Sequence, residues 1–145
     1  PYRWRPMGFE VDGKEYVRFE PRGQYIGTEP YNKWTKPSCV LIGEDNYSDA
    51  CGFPYVYKTL GIGKLIGAPV PGTMTAVWWE NQIDPTITFG IPQVGAIGVK
   101  EGRYLENMQI EPDIEVYNDP ASVLRGEDKQ LETAVKEMLK TIENK

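Results

Sequence analysis

Cys39, Val40, Leu41 and Ile42 form an unbroken apolar run closed by Gly43, which predicts a strand buried on both faces, as in a parallel sheet covered by helices. A polar stretch, Glu44, Asp45, Asn46 and Tyr47, follows, and Ser48-Asp49 then opens a helix expected to run through Thr59 and to stop at Gly61. Residues 64–66, bounded by Gly63 and Gly67, predict the next strand, so that strand, helix and strand make one β-α-β unit. Beyond the loop at residues 68–73, strands are expected over 76–79 and 86–91, joined around Asn81 and Pro85, with a short strand at 113–116. Asp119-Pro120 offers a cap and then a proline at the first helical position, with Gly126 as the stop. In the last segment Leu131, Ala134, Val135, Met138, Leu139 and Ile142 recur at i, i+3, i+4, i+7, i+8 and i+11. They predict one apolar stripe that docks on the sheet or on another subunit, with Glu132 and Lys136 paired on the outer face.

Residues 1–37 read differently. They are rich in aromatics and arginine, Pro6, Pro21, Pro30 and Pro37 punctuate them, and only residues 16–19 look strand-like. This head is expected to pack on, or belong to, the domain formed with residues 38–145, or to meet an upstream half or a partner. Trp78 and Trp79, adjacent on a strand, face opposite sides; core or subunit packing is the expectation for both, with a groove wall as the alternative for one.

Composition narrows the possible functions. The chain has 145 residues, 40% of them hydrophobic and 26% charged, which is enough apolar material for one folded domain. The net charge of −5 leaves no clustered basic footprint, so nucleic acid is not an expected partner. No apolar run approaches the roughly 20 residues a membrane helix needs, and no membrane insertion is expected. Histidine is absent, which excludes from this chain every His-based zinc site and every Ser/His or Cys/His pair. Any imidazole must come from elsewhere. Cys39 and Cys51 match no metal signature and are expected to be buried thiols. The opening Pro1 suggests a processed, cleaved or trimmed piece.

Ser48 stands where a strand has ended and a helix begins, so its hydroxyl would project at the carboxyl edge of the sheet, near the positive end of a helix dipole. Two readings are open. Serine there caps a helix, or it attacks a carbonyl whose developing charge is met by the backbone N–H of Asp49.

Residues 37–142 resemble the carboxyl-terminal part of the serine peptidase family that contains the tail-specific (C-terminal processing) proteases and the tricorn core protease. Four stretches carry the resemblance in order: the strand from Lys36 to Gly43, the turn Asn46-Tyr47-Ser48-Asp49 with its apolar helix, the crossover Leu60-Gly61-Ile62-Gly63-Lys64-Leu65-Ile66-Gly67, and Leu105-Glu106-Asn107-Met108-Gln109-Ile110-Glu111-Pro112-Asp113-Ile114-Glu115-Val116 with the later Arg125-Gly126-Glu127-Asp128-Lys129-Gln130-Leu131-Glu132. The resemblance implies an α/β fold, a Clp-protease/crotonase-like spiral of β-β-α units, of which this chain would be the C-terminal half of the catalytic domain. Tail-specific proteases place a general-base lysine in a Gly-Lys-Gly loop. Here the loop reads Pro71-Gly72-Thr73-Met74, and Thr73 cannot accept the proton. The sequence therefore looks closer to the tricorn branch, which joins its serine to an upstream His and Ser and to a glutamate that Glu106 matches.

The resemblance implies Ser48 as nucleophile, Glu106 as the carboxylate that orients the base, and the Asp49 N–H as half of the oxyanion hole. The His and an oxyanion glycine would lie before Pro1. Tyr47 and Thr73 are candidate substrate contacts. Neither metal nor organic cofactor is implied; the partners would be a peptide or protein substrate, the upstream half of the polypeptide and further copies in a homo-oligomer. The compartment would be the periplasm or cell envelope rather than the cytoplasm. The departures are Met108-Gln109, where the family has a glycine-containing step, and Cys51 and Pro54 in the opening of the helix. They leave a non-catalytic peptide-binding or assembly module, a pseudoprotease, as the alternative to a serine endopeptidase that is inactive as an isolated chain.

Overall fold

The computed structural model describes residues 2–11, 14–25, 34–98 and 100–143. In chain order the elements are β1 (Tyr2–Val11), β2 (Lys14–Tyr25), β3 (Cys39–Ile42), α1 (Asp49–Thr59), β4 (Lys64–Gly67), β5 (Ala76–Asn81), β6 (Thr88–Ile97), β7 (Ile114–Glu115), α2 (Pro120–Leu124) and α3 (Lys129–Glu143). They fall into two compact units, Pro1–Thr28 with Thr73–Met108, and Glu29–Gly72 with Gln109–Lys145.

The first unit is a four-stranded sheet in the order β2-β1-β6-β5, with every neighbouring pair antiparallel. Its two opening strands replace the single short patch expected at residues 16–19. The register runs from Val11 opposite Lys14 to Tyr2 opposite Tyr25, with only Asp12-Gly13 between the strands. Asp-Gly is a strong sequence signal for a two-residue hairpin connection. Two of the prolines, Pro6 and Pro21, lie inside these strands at places where a ladder bond is dispensable. Pro21 is in the outer strand β2, and Pro6 lies beyond Trp4, where the pairing of β1 with β6 ends. Trp78 and Trp79 are 62% and 60% exposed rather than packed in a core, since β5 is the outer strand at the other edge. Trp79 pairs across the ladder with Gly90, and a Cβ there would come within 3.0 Å of the indole ring.

The second unit holds a parallel sheet in the order β3-β4-β7, with α1 connecting β3 to β4. The strand buried on both faces is the central β4, whose Leu65 and Ile66 are fully enclosed; β3 is an edge, and its Leu41 is 42% exposed. The two cysteines also differ: Cys51 is buried, whereas Cys39 is half-buried. Gly67 ends β4 at φ 137, and a Cβ on it would stand 1.9 Å from the Ile42 carbonyl oxygen. That position admits only glycine, because strand and backbone approach too closely for a side chain. Asp119 caps α2 as expected, accepting from the Ser122 N–H at 3.0 Å. Bonds from Lys129 and then Ser122 hold its carboxyl well below the usual aspartate range.

Helix α3 lies against β3 and β4, but its stripe docks along one margin only. Ala134 is buried and Met138 half-buried, whereas Leu131, Val135, Leu139 and Ile142 stay exposed. A stripe this wide outruns what a three-stranded sheet can cover from one side. At the docked margin Glu137 accepts from Lys140 at 2.6 Å and from Lys64 of β4 at 2.7 Å. These bonds, that of Lys140 first, pull its carboxyl from the ordinary 4.5 down to about 2. Among the described residues no helix is long and apolar enough to cross a membrane.

A carboxyl with a depressed folded-state pKa contributes stability that is complete above its unfolded pKa and fades as pH falls through the folded one. Glu137→Gln is therefore expected to lower the urea midpoint at pH 7. The gap to the parent protein should close as pH drops from about 5 towards 2. A gap independent of pH would place the effect of the substitution in packing.

Candidate active site

Ser48 is exposed and sits at the cap position of α1 with φ 55 and ψ −118. These angles mirror an ordinary extended residue and match the first central position of a type II′ turn, where glycine is the usual occupant. The turn closes through a bond from the Ala50 N–H to the Tyr47 carbonyl at 3.0 Å. Helical bonding begins at once, with Cys51 and Gly52 N–H donating to the Ser48 carbonyl at 2.8 and 3.1 Å. The Ser48 side chain makes no cap bond to the helix. Its hydroxyl is thus spared the structural task that serine most often performs at this position, and the backbone bears strain of about 1–3 kcal/mol to present it.

Asp49 is the first residue of α1, so its backbone N–H lies at the positive mouth of the helix, immediately after the Ser48 carbonyl carbon. Tyr47 is exposed on the other flank of Ser48. Two ammonium groups of the same unit have partners of their own. Lys58 Nζ donates to the Glu111 carbonyl at 2.6 Å, and Lys64 Nζ to Glu137 at 2.7 Å. Burial pushes the Cys39 thiol up, which works against thiolate chemistry at that residue.

Glu106 belongs to the other unit, where it is half-buried after the fully buried Leu105. Leu105 N–H donates to the Ala96 carbonyl at 2.9 Å, and a turn closes from Met108 N–H to the Leu105 carbonyl at 3.0 Å. Within that turn Asn107 takes φ 58, a conformation that asparagine accepts better than most residues. The carboxylate Oε2 accepts three bonds of 2.7 Å, from the N–H groups of Met74 and Thr75 and from the Thr75 hydroxyl. Three donors on one oxygen fix the plane of the carboxylate and the direction in which Oε1 projects. Thr73 is half-buried in the same loop, next to the residues that supply these donors.

Tyr47, Ser48 and Asp49 are therefore assembled by one unit, and Thr73 and Glu106 by the other. Thr75 and Asn107 were missed by sequence reasoning. Asn107 carried a signal in its residue type; Thr75 carried none, because its role comes from a loop meeting a carboxylate 31 positions away. Among the described residues no group of three or more Cys, Asp or Glu could hold a metal ion.

The family model for peptidase family S41 matches residues 8–116. Over 118 residues the chain is 27% identical to the putative tricorn-like protease C-terminal subunit of Sulfurisphaera tokodaii, covering 80% of this chain and 14% of that protein. It is 25% identical over 124 residues to the tricorn protease of Thermoplasma acidophilum, covering 86% of this chain and 12% of the relative. The chain thus spans about one seventh or less of the length of these relatives. Among solved structures, the tricorn protease superposes with a TM-score of 0.68 at 22% identity, covering 96% of this chain and 13% of that one. That likeness establishes a shared α/β fold.

Strain at a positive φ has a direct signature. Ser48→Gly is expected to raise stability by about 1 kcal/mol, because glycine adopts the mirror-image conformation freely, whereas Ser48→Ala keeps the strain. Urea unfolding of both variants checks this; equal midpoints would mean that the turn is relaxed.

Proposed function

The chain belongs to peptidase family S41, and from that premise we propose that it supplies the nucleophile and the orienting carboxylate of a serine endopeptidase. The observation that carries the reading is the Ser48 turn, a strained backbone holding a hydroxyl that does not cap its own helix. In the proposed reaction Ser48 Oγ attacks the scissile carbonyl of an extended peptide while a histidine from an upstream segment takes the hydroxyl proton. The tetrahedral oxyanion is met by the Asp49 N–H at the mouth of α1 and by a second N–H from the same upstream segment. The histidine then returns its proton to the leaving amine, and water releases the acyl group from Ser48 by the same route in reverse.

Glu106 fits the third role. A carboxylate oriented by Met74 and Thr75 can hold an imidazole in one tautomer through its other oxygen and stabilise the imidazolium formed on proton transfer. Thr73, in the place of the base lysine of the tail-specific branch, favours the histidine-dependent arrangement over a Ser/Lys dyad. The engagement of Lys58 and Lys64 with other partners supports the same choice. The second reading, a peptide-binding module without turnover, draws on the absence of histidine from these 145 residues. A full-length polypeptide without an upstream Ser-His pair would favour it.

The test is activity-based labelling of the full-length protein. A fluorophosphonate is expected to modify Ser48, and Ser48→Ala to abolish both labelling and peptide cleavage while the protein stays folded. Labelling that survives the change would remove Ser48 from the role. Glu106→Gln is expected to lower kcat by at least tenfold with little change in KM, since the tautomer it fixes and the imidazolium it stabilises serve proton transfer rather than peptide binding. Unchanged turnover would assign the task to another group.

A further inference from the structure

The segment from Gly43 to Ala50 carries Ser48 from the end of β3 into α1, and one side chain spans it. Asn46 Oδ1 accepts from the Gly43 N–H at 3.0 Å, and Asn46 Nδ2 donates to the Ala50 carbonyl at 2.7 Å. The backbone of Asn46 is tied as well, its N–H to the Gly43 carbonyl at 3.2 Å and its carbonyl to the Cys51 thiol at 3.2 Å. The Ala50 carbonyl is available for this bond for a reason visible in the sequence. Its regular helical donor would be the N–H of residue 54, and residue 54 is proline. Pro54 and Asn46 thus form a matched pair: the proline withdraws a donor from the first turn of α1, and the asparagine replaces it from outside the helix.

We propose that Asn46 is the positioning residue of Ser48, its amide bridging both flanks of the turn and so holding Ser48 at positive φ with its hydroxyl off the helix cap. The consequence for catalysis rests on Ser48 being the nucleophile; the conformational claim does not. Without the bridge, Ser48 gains by relaxing to negative φ and turning its hydroxyl back onto the Cys51 N–H as an ordinary N-cap. A displaced nucleophile then loses rate, on the order of a hundredfold per ångström of misplacement.

The experiment compares Asn46→Ala, and Asn46→Asp as the milder change that keeps an acceptor for Gly43, in the full-length protein. Each is made with and without Pro54→Ala, which returns a backbone donor to the Ala50 carbonyl. Crystal structures read the φ of Ser48, and a fluorophosphonate reads its labelling rate. The expected result is a Ser48 φ that turns negative and labelling about tenfold to a hundredfold slower. Adding Pro54→Ala should recover thermal stability but not the labelling rate. An unchanged φ in both Asn46 variants, or labelling restored together with stability by Pro54→Ala, would overturn the proposal. A parent protein that is never labelled, with Ser48 nonetheless relaxing in the variants, would sink the peptidase reading and leave the positioning role standing.

Discussion

The proposed chemistry of this chain depends on one backbone conformation, the positive φ of Ser48 between an edge strand and a helix. An L-residue accepts that conformation only under compulsion, and the compulsion comes from structure on both sides. Upstream, β3 delivers the chain to Gly43; downstream, the first helical bonds of α1 seize the Ser48 carbonyl. Between them the backbone of Ser48 is held on both sides, while its hydroxyl makes no cap bond of its own.

The first unit offers a parallel. Glu106 lies next to a residue at positive φ, Asn107, and its orientation comes from a neighbouring loop, through two backbone N–H groups and a hydroxyl. Both candidate side chains are thus presented by tight turns that follow packed segments, Ser48 after the buried Ile42 and Glu106 after the buried Leu105. Packed neighbours hold the strained turn, and the turn presents the side chain proposed to react.

The β3-α1-β4 unit, the capped α2 and the helical nature of α3 were legible because each rests on local patterns: an apolar run, Asp before Pro, a 3.6-residue period. The hairpin of β1 and β2 was hidden by its prolines, although Asp12-Gly13 marked its centre. Burial was less legible than element type. Leu41, Trp78 and Trp79 looked internal, yet lie on outer strands, a property of sheet order that no local window reveals. The same limit applies to the proposed site. Ser48 and Glu106 are candidates through an ordered set of motifs, whereas the bond of Thr75 is tertiary and the two partners of Asn46 are visible only in the fold.

The attachment of α3 to β4 combines two forces with opposite responses to salt. Its rim is a carboxylate shared by two solvent-exposed ammonium groups, Lys64 and Lys140, and ions screen such attraction within about 3 Å at molar strength. Its interior is the apolar contact of Ala134, which sulfate strengthens by exclusion from the surface. Chloride at high concentration thus loosens the rim with little return from the interior, while sulfate exchanges one grip for the other, so the choice of anion decides how firmly the last helix is held.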